Sequence, residues 1–230
     1  MKSVGVAEIR NKFRTKYALE KERYNKEDAK RVLLDDNYLL KFIDKKKITL
    51  QEAFEEIDET LKWRNNFGVA KISANDFPEE FLSLVNLSAY VKLVNRVPVV
   101  FVRLKLCKCE KWRKTYHKFI VYILELMEKR SPNRDTQWNL VLDLMHEELS
   151  NLESDLEYFG VETFLRYFPQ KISYVVIYQI PWFLWLISKL TLALLPSHFA
   201  DDMNITLLDS EQTRHFLDFS DSGKCELLQG

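Results

Sequence analysis

The stretch RYFPQKISYVVIYQIPWFLWLISKLTLALLP, residues 166–196, decides how this chain is read. It begins as a helix end stopped by Pro169, passes through SYVVIYQI (173–180), and after Pro181 enters WFLWLISKLTLALL (182–195). β-branched and aromatic residues dominate the first part and predict a strand. The second part is helical in composition, and Trp182, Phe183, Leu184, Trp185, Leu186, Ile187, Leu190, Leu192, Leu194 and Leu195 leave almost no polar face. A helix apolar all round is either fully buried or meets something apolar besides its own core. A single transmembrane span accounts for it poorly. Pro181 divides the stretch, and 182–195 as a helix rises about 21 Å at 1.5 Å per residue, short of the roughly 30 Å of hydrocarbon to be crossed. Two readings stay open: a core helix, or a helix with one face on a bound lipid and the other on a bilayer surface.

Working outward, AYVKLV (89–94) and VPVVFVRLKL (97–106) flank Asn95-Arg96 and predict a hairpin, with Pro98 at a strand start or edge because it lacks an N–H. Trp112, Tyr116, Phe119, Ile123 and Met127 recur at helical spacing. TQWNLVLDL (136–144) is apolar on both faces, as in a buried parallel strand. Leu152, Leu156, Phe159, Phe164 and Phe168 mark another helix, MNITLL (203–208) a last strand, and Asp209-x-x-Gln212 the cap of a helix over 210–219. Nearer the start, Ile9, Phe13, Tyr17 and Leu19 form a sparse stripe over 5–24, and DDNYLLKFIDKKKIT (35–49) carries a short helix. Thr49-x-x-Glu52 is a capping box, Leu50, Phe54, Ile57 and Leu61 share one face behind it, and Gly68 stops the helix. The expected class is α/β: a mostly parallel sheet with crossover helices behind a helical N-terminal region. The expected division is 1–70 for that region and 71–230 for the sheet domain.

Composition removes most other functions. The chain has 230 residues, 47% hydrophobic and 30% charged, so it can bury enough surface to fold. Thirty-four basic residues balance thirty-four acidic ones, so no overall field draws it to nucleic acid. With five glycines, none spaced as a phosphate loop, the G-x-G-x-x-G, P-loop and G-x-S-x-G motifs are all absent. Cys107, Cys109 and His117 are too few ligands at too loose a spacing for a tetrahedral metal site, and no metal or cofactor is expected. His146-Glu147-Glu148 follows the strand ending at Asp143, but no nucleophile is paired with it, so an enzyme is not expected. MKSVGVAEIRNKF lacks an apolar run of signal-peptide length, which predicts a cytoplasmic protein.

Several of these stretches together resemble one family. DDNYLLKFIDKKKIT with Glu59-Thr60-Leu61-Lys62-Trp63-Arg64, QWNLVLDL with its terminal Asp143, and above all residues 166–196 resemble the CRAL-TRIO, or Sec-fourteen-type, lipid-binding domain over about 35–208. EIRNKFRTKY and Pro181-Trp182 look closest to the CRAL-TRIO part of motile-sperm-domain membrane-contact proteins. The resemblance implies a sheet floor and a helical gate enclosing an apolar cavity for one lipid. It makes 182–195 the mobile gate, whose outer face docks on membranes while lipid exchanges. Of the family's phosphatidylinositol headgroup positions, Lys46 matches in kind, whereas Gln170, His198 and Asp201 stand where Glu, Thr and Lys are usual. Lipid binding therefore carries over without naming phosphatidylinositol as the ligand.

The expected function is binding, and transfer or presentation, of one phospholipid or other hydrophobic ligand, with transient membrane docking. By strand position the pocket candidates are Val100, Val102, Leu140, Leu142, Val176 and Tyr178. The gate and membrane contacts are Trp182, Phe183, Trp185, Leu186, Ile187, Leu190 and Leu194. Lys45, Lys46, Lys47 and Lys189, with Lys41, Lys62 and Arg64 near the lysine run, are candidates for a lipid headgroup or anionic surface. The partners are a lipid and a peripheral membrane surface, with the endoplasmic reticulum or lipid droplets as candidates, and the chain is expected to be a monomer. The alternative is a membrane-associated or lipid-droplet-targeted interaction module that inserts the apolar helix and carries nothing.

Overall fold

The computed structural model describes residues 2–44, 48–85, 88–94, 97–103, 110–130, 138–143, 154–168, 172–178 and 204–208, and the chain divides into two packed units. The first, helical unit gathers residues 1–73 with 117–135 and 158–170. Its helix α1 (Lys2–Leu19) buries Val6, Ile9 and Phe13, while Tyr17 is half-buried and Leu19, expected on the same stripe, is 81% exposed at the helix end. Helix α2 (Lys26–Leu34) was not visible as periodicity. It starts at Asn25, whose side chain accepts from the N–H groups of Glu27 and Asp28, and it buries Ala29 and Val32. Asp35 caps α3 (Asp36–Ile43) in the same way, and Leu39 and Phe42 are its buried pair. The predicted capping box is present at α4 (Leu50–Phe67). Thr49 and Glu52 satisfy each other's backbone donors, and Gly68 closes the helix at φ +79°, where only glycine is unstrained. Ile57 and Leu61 are fully buried, with Leu50 and Phe54 packed partly against the same core.

Charge as well as apolar burial ties these helices together. Arg64 of α4 is buried with its Nε 2.9 Å from Asp28 and Nη1 2.6 Å from Glu125. Glu128 accepts from Arg31 at 3.0 Å and from Lys41 at 2.5 Å. Asp58 accepts from Tyr24 Oη at 2.6 Å, Lys62 at 2.7 Å and Lys16 at 2.8 Å. Burial alone would raise the Asp58 pKa. The two ammonium groups and the tyrosine outweigh it and hold the carboxyl below its usual range. A carboxyl held low when folded contributes stability above its unfolded pKa and loses it as pH falls through the folded one. Asp58→Asn is therefore expected to be less stable than wild type at about pH 7, with the gap narrowing towards about pH 3. Urea midpoints at the two pH values measure this; a constant gap would refute it.

The second unit comprises residues 74–116, 136–157 and 171–230. Helix α5 (Glu79–Val85) seats the fully buried Phe81 against Trp112, at 5.6 Å between ring centroids, and against the edge of Tyr116 at 5.0 Å. The predicted hairpin is β1 (Ser88–Val94) antiparallel to β2 (Val97–Arg103). Pairing of β2 with β3 (Trp138–Asp143) begins at Val99, one residue beyond Pro98, which has no N–H to give. Strand β4 (Ile172–Tyr178) and strand β5 (Asn204–Leu208) extend the sheet in the order β1-β2-β3-β4-β5, with β2 to β5 all parallel. Helix α6 (Arg113–Arg130) lies between β2 and β3 in the chain, and α7 (Ser154–Tyr167) between β3 and β4. The stripe predicted over 112–127 is buried at all five positions. The proposed helices at 182–195 and 210–219 lie outside the described residues.

Candidate functional site

Four parallel strands in chain order give the sheet a ladder of rows running across all five strands. In a pleated sheet the residues of one row share a face, and adjacent rows alternate. One row is Val91, Val100, Leu140, Val175 and Ile205; two residues further on is Ala89, Val102, Leu142, Ile177 and Leu207. Every member of both rows is aliphatic. The alternate rows differ in kind. They read Lys92, Val99, Asn139, Tyr174, Asn204, then Tyr90, Phe101, Val141, Val176, Thr206, then Ser88, Arg103, Asp143, Tyr178, Leu208.

The six pocket candidates are thus divided. Val100 neighbours Leu140 and Val102 neighbours Leu142 in the aliphatic rows, but Val176 stands in the row of Val141, and Tyr178 in that of Asp143. The cause is local. Trp138 pairs with Ile172 whereas Asn139 pairs with Tyr174, so Ser173 is an extra residue on β4. A one-residue slip exchanges the two faces of everything beyond it. Simple alternation from Ile172 would put Tyr174 beside Leu140 and Val176 beside Leu142; the irregularity puts Val175 and Ile177 in those rows instead.

Among the expected basic positions, Lys41 and Arg64 are buried in ion pairs, and Lys62 is held by Asp58. These three do not make a free cationic surface with the lysine run, because their charges are already balanced by carboxylates. Lys45, Lys46, Lys47, Lys189, Gln170, His198, Asp201, His146 and the gate residues 182–195 lie outside the described residues. His117 stacks on Phe159 at 3.9 Å and 15°. It continues a column of rings in the helical unit in which Trp63 stacks on Tyr167 at 4.2 Å and on Phe67 at 5.1 Å. A groove of about 590 Å³ opens beside this column, rimmed by Glu59, Lys62 and Arg166. Its charged rim and wide mouth suit it poorly to cover hydrocarbon, which must be screened from water to be stabilised. The aliphatic rows of the sheet are the better candidate.

A family model, the CRAL/TRIO domain, matches residues 94–220, from the end of β1 past β5. That match covers more than half of the chain. The chain belongs to the CRAL/TRIO domain family. The crystal structure of Sfh5 is similar to it in fold, with a TM-score of 0.58 and 15% sequence identity over 84% of this chain and 69% of that one. CRAL/TRIO domains bind and transfer lipids, and the expected α/β lipid-binding class is that of this family. The CRAL/TRIO match takes in β2 to β5, which carry four of the five members of each aliphatic row, together with the apolar run 182–195. Among the described residues no helix is long and apolar enough to cross a membrane.

Proposed function

We propose that this CRAL/TRIO domain carries one lipid in an apolar cavity over its sheet, exchanges it at a membrane surface, and performs no covalent chemistry. One observation carries the reading. The run 182–195 falls inside the connection between β4 and β5, two strands paired in parallel in one sheet. A parallel connection must return along the length of the strands, and usually does so as a helix. It also keeps both flanks on one side of any bilayer, so a single membrane crossing by this run is incompatible with the paired strands. An almost wholly apolar helix returning over a sheet has two faces to cover. A lipid beneath and a bilayer surface above cover both.

The physical gain is kinetic. An acyl chain passing through water is exposed at a cost of about 0.8 kcal/mol per methylene. A cavity that opens only at a bilayer removes that barrier by binding alone. In this reading Trp182, Phe183, Trp185, Leu186, Ile187, Leu190 and Leu194 supply gate and membrane contacts. Lys45, Lys46, Lys47 and Lys189 add about 1 kcal/mol each where they approach anionic lipid.

Native mass spectrometry with lipid extraction, on protein purified from cells, tests this directly. A co-purified lipid at one per chain is the expected result. A chain that is empty and also takes no lipid from vesicles would overturn it. If that empty protein stays on membranes through a carbonate wash, the alternative of an inserted interaction module is favoured.

A further inference from the structure

A cavity of about 340 Å³ lies within the helical unit, lined from α2, α3 and α6. Among the described residues its charges are matched in number: Arg31, Lys41 and Lys129 against Asp35, Glu125 and Glu128. Tyr38 completes the lining. We infer that this cavity binds a small dipolar molecule, with an oxyanion at one end and an ammonium at the other, and that it is separate from the lipid cavity. Tyr38 gives the first reason. It is 5% exposed, and its hydroxyl has no hydrogen-bond partner among the described residues. Buried hydroxyls are rarely left so in a native fold, which points to a ligand as the partner. Burial pushes the Tyr38 pKa up to about 12, so the group keeps its proton and donates. The Arg31 guanidinium lies over the same ring, 4.4 Å from its centroid.

The hydrogen-bonding capacity left over has both signs. Arg31 Nη2 and Lys41 Nζ give to one oxygen, Oε1 of Glu128, at 3.0 and 2.5 Å. A guanidinium and an ammonium each carry several N–H groups, so both have donors to spare. Lys129 is exposed and has no ion-pair partner among the described residues. With the Tyr38 hydroxyl, these donors suit an oxyanion. Asp35 uses Oδ1 to cap α3, and Glu125 uses Oε1 on Arg64, so Oδ2 and Oε2 have no partner among the described residues. These oxygens suit an ammonium. A ligand of one sign would satisfy only one set and bring net charge to a lining that has none, whereas a dipolar ligand meets both. Size limits the occupant. At about 30 Å³ per water, 340 Å³ has room for roughly eleven water-sized groups, the scale of a free amino acid.

The test titrates the full chain, by calorimetry, with β-alanine, γ-aminobutyrate and ε-aminocaproate, which hold the two charges at increasing separation. Butyrate and butylammonium are the single-sign controls. At least one amino acid is expected to bind about tenfold or more tightly than either control. Tyr38→Phe is expected to weaken that binding about tenfold and leave the urea midpoint unchanged, because the hydroxyl bonds no described protein group. Asp35→Asn keeps the helix cap, since asparagine caps as well as aspartate. It is expected to weaken the amino acid and strengthen butyrate, whereas Lys129→Gln weakens both. Opposite shifts in one variant cannot come from misfolding. Glycerophosphoethanolamine carries the same two charges and separates the sources. Amino acids that bind more tightly identify a free metabolite; the reverse, with phosphatidylethanolamine vesicles competing, identifies a lipid headgroup. Wild type that binds none of these probes, or binds a control as tightly as every dipolar one, overturns the inference. So does Tyr38→Phe with wild-type affinity. None of these outcomes decides whether the protein carries a lipid.

Discussion

Arg64→Met is expected to lower the stability of the protein by about 3–5 kcal/mol. The guanidinium is buried between Asp28 at 2.9 Å and Glu125 at 2.6 Å, and its removal leaves a buried and a partly buried carboxylate without the group that balances them. Burial by itself would favour the neutral form of Arg64. The Glu125 hydrogen bond and the surrounding negative charge overcome this and raise its pKa further above the physiological range. The triple variant Arg64→Met, Asp28→Asn, Glu125→Gln is expected to recover much of the loss, because it removes the stranded charges along with the arginine. Urea denaturation of the single and triple variants measures both effects. A single variant within about 1 kcal/mol of wild type would show that water reaches the site and screens it.

Trp182→Asp with Leu186→Asp is expected to slow lipid exchange between vesicles at least about tenfold while leaving a lipid bound. The two positions are four residues apart and lie on one face of the predicted gate helix. An aspartate costs about 2.5–3.5 kcal/mol at the centre of a bilayer and less near its surface. Two together exceed the roughly 1.4 kcal/mol that a tenfold change requires. Fluorescent-lipid transfer between donor and acceptor vesicles gives the rate, and native mass spectrometry gives the occupancy. Unchanged transfer would remove 182–195 from membrane docking, whereas an emptied cavity with normal vesicle binding would place this face towards the lipid.

Much of the architecture was legible because local rules and tertiary packing agree. Thr49, Glu52 and Gly68 mark the two ends of α4, since capping is settled within a few residues of the chain. A hairpin pattern marked β1 and β2 in advance, a stretch apolar on both faces β3, a β-branched run β4, and MNITLL β5. Helix α2 also carried its signal in Asn25 with Glu27 and Asp28, an N-cap followed by an acidic first turn, but its short apolar face gave little period. For α5 the sequence offered only Pro78 before Glu79 and Glu80, a start without a visible stripe.

The amino-acid sequence by itself determined the class of the fold, the order of its main elements and the family, because capping, β-branching and apolar period act over a few neighbouring residues. Only the tertiary structure decided which charges are free and which residues share a face of the sheet. Glu125 and Glu128 meet Arg64, Arg31 and Lys41 across separations of 61, 97 and 87 residues, and no local pattern encodes that balance. The one extra residue at Ser173 moves Tyr174 and Val176 out of the aliphatic rows and brings in Val175 and Ile177. A strand's period of two shows that its residues alternate. Which half faces the cavity depends on register against a neighbouring strand, and that is set by pairing over the whole sheet.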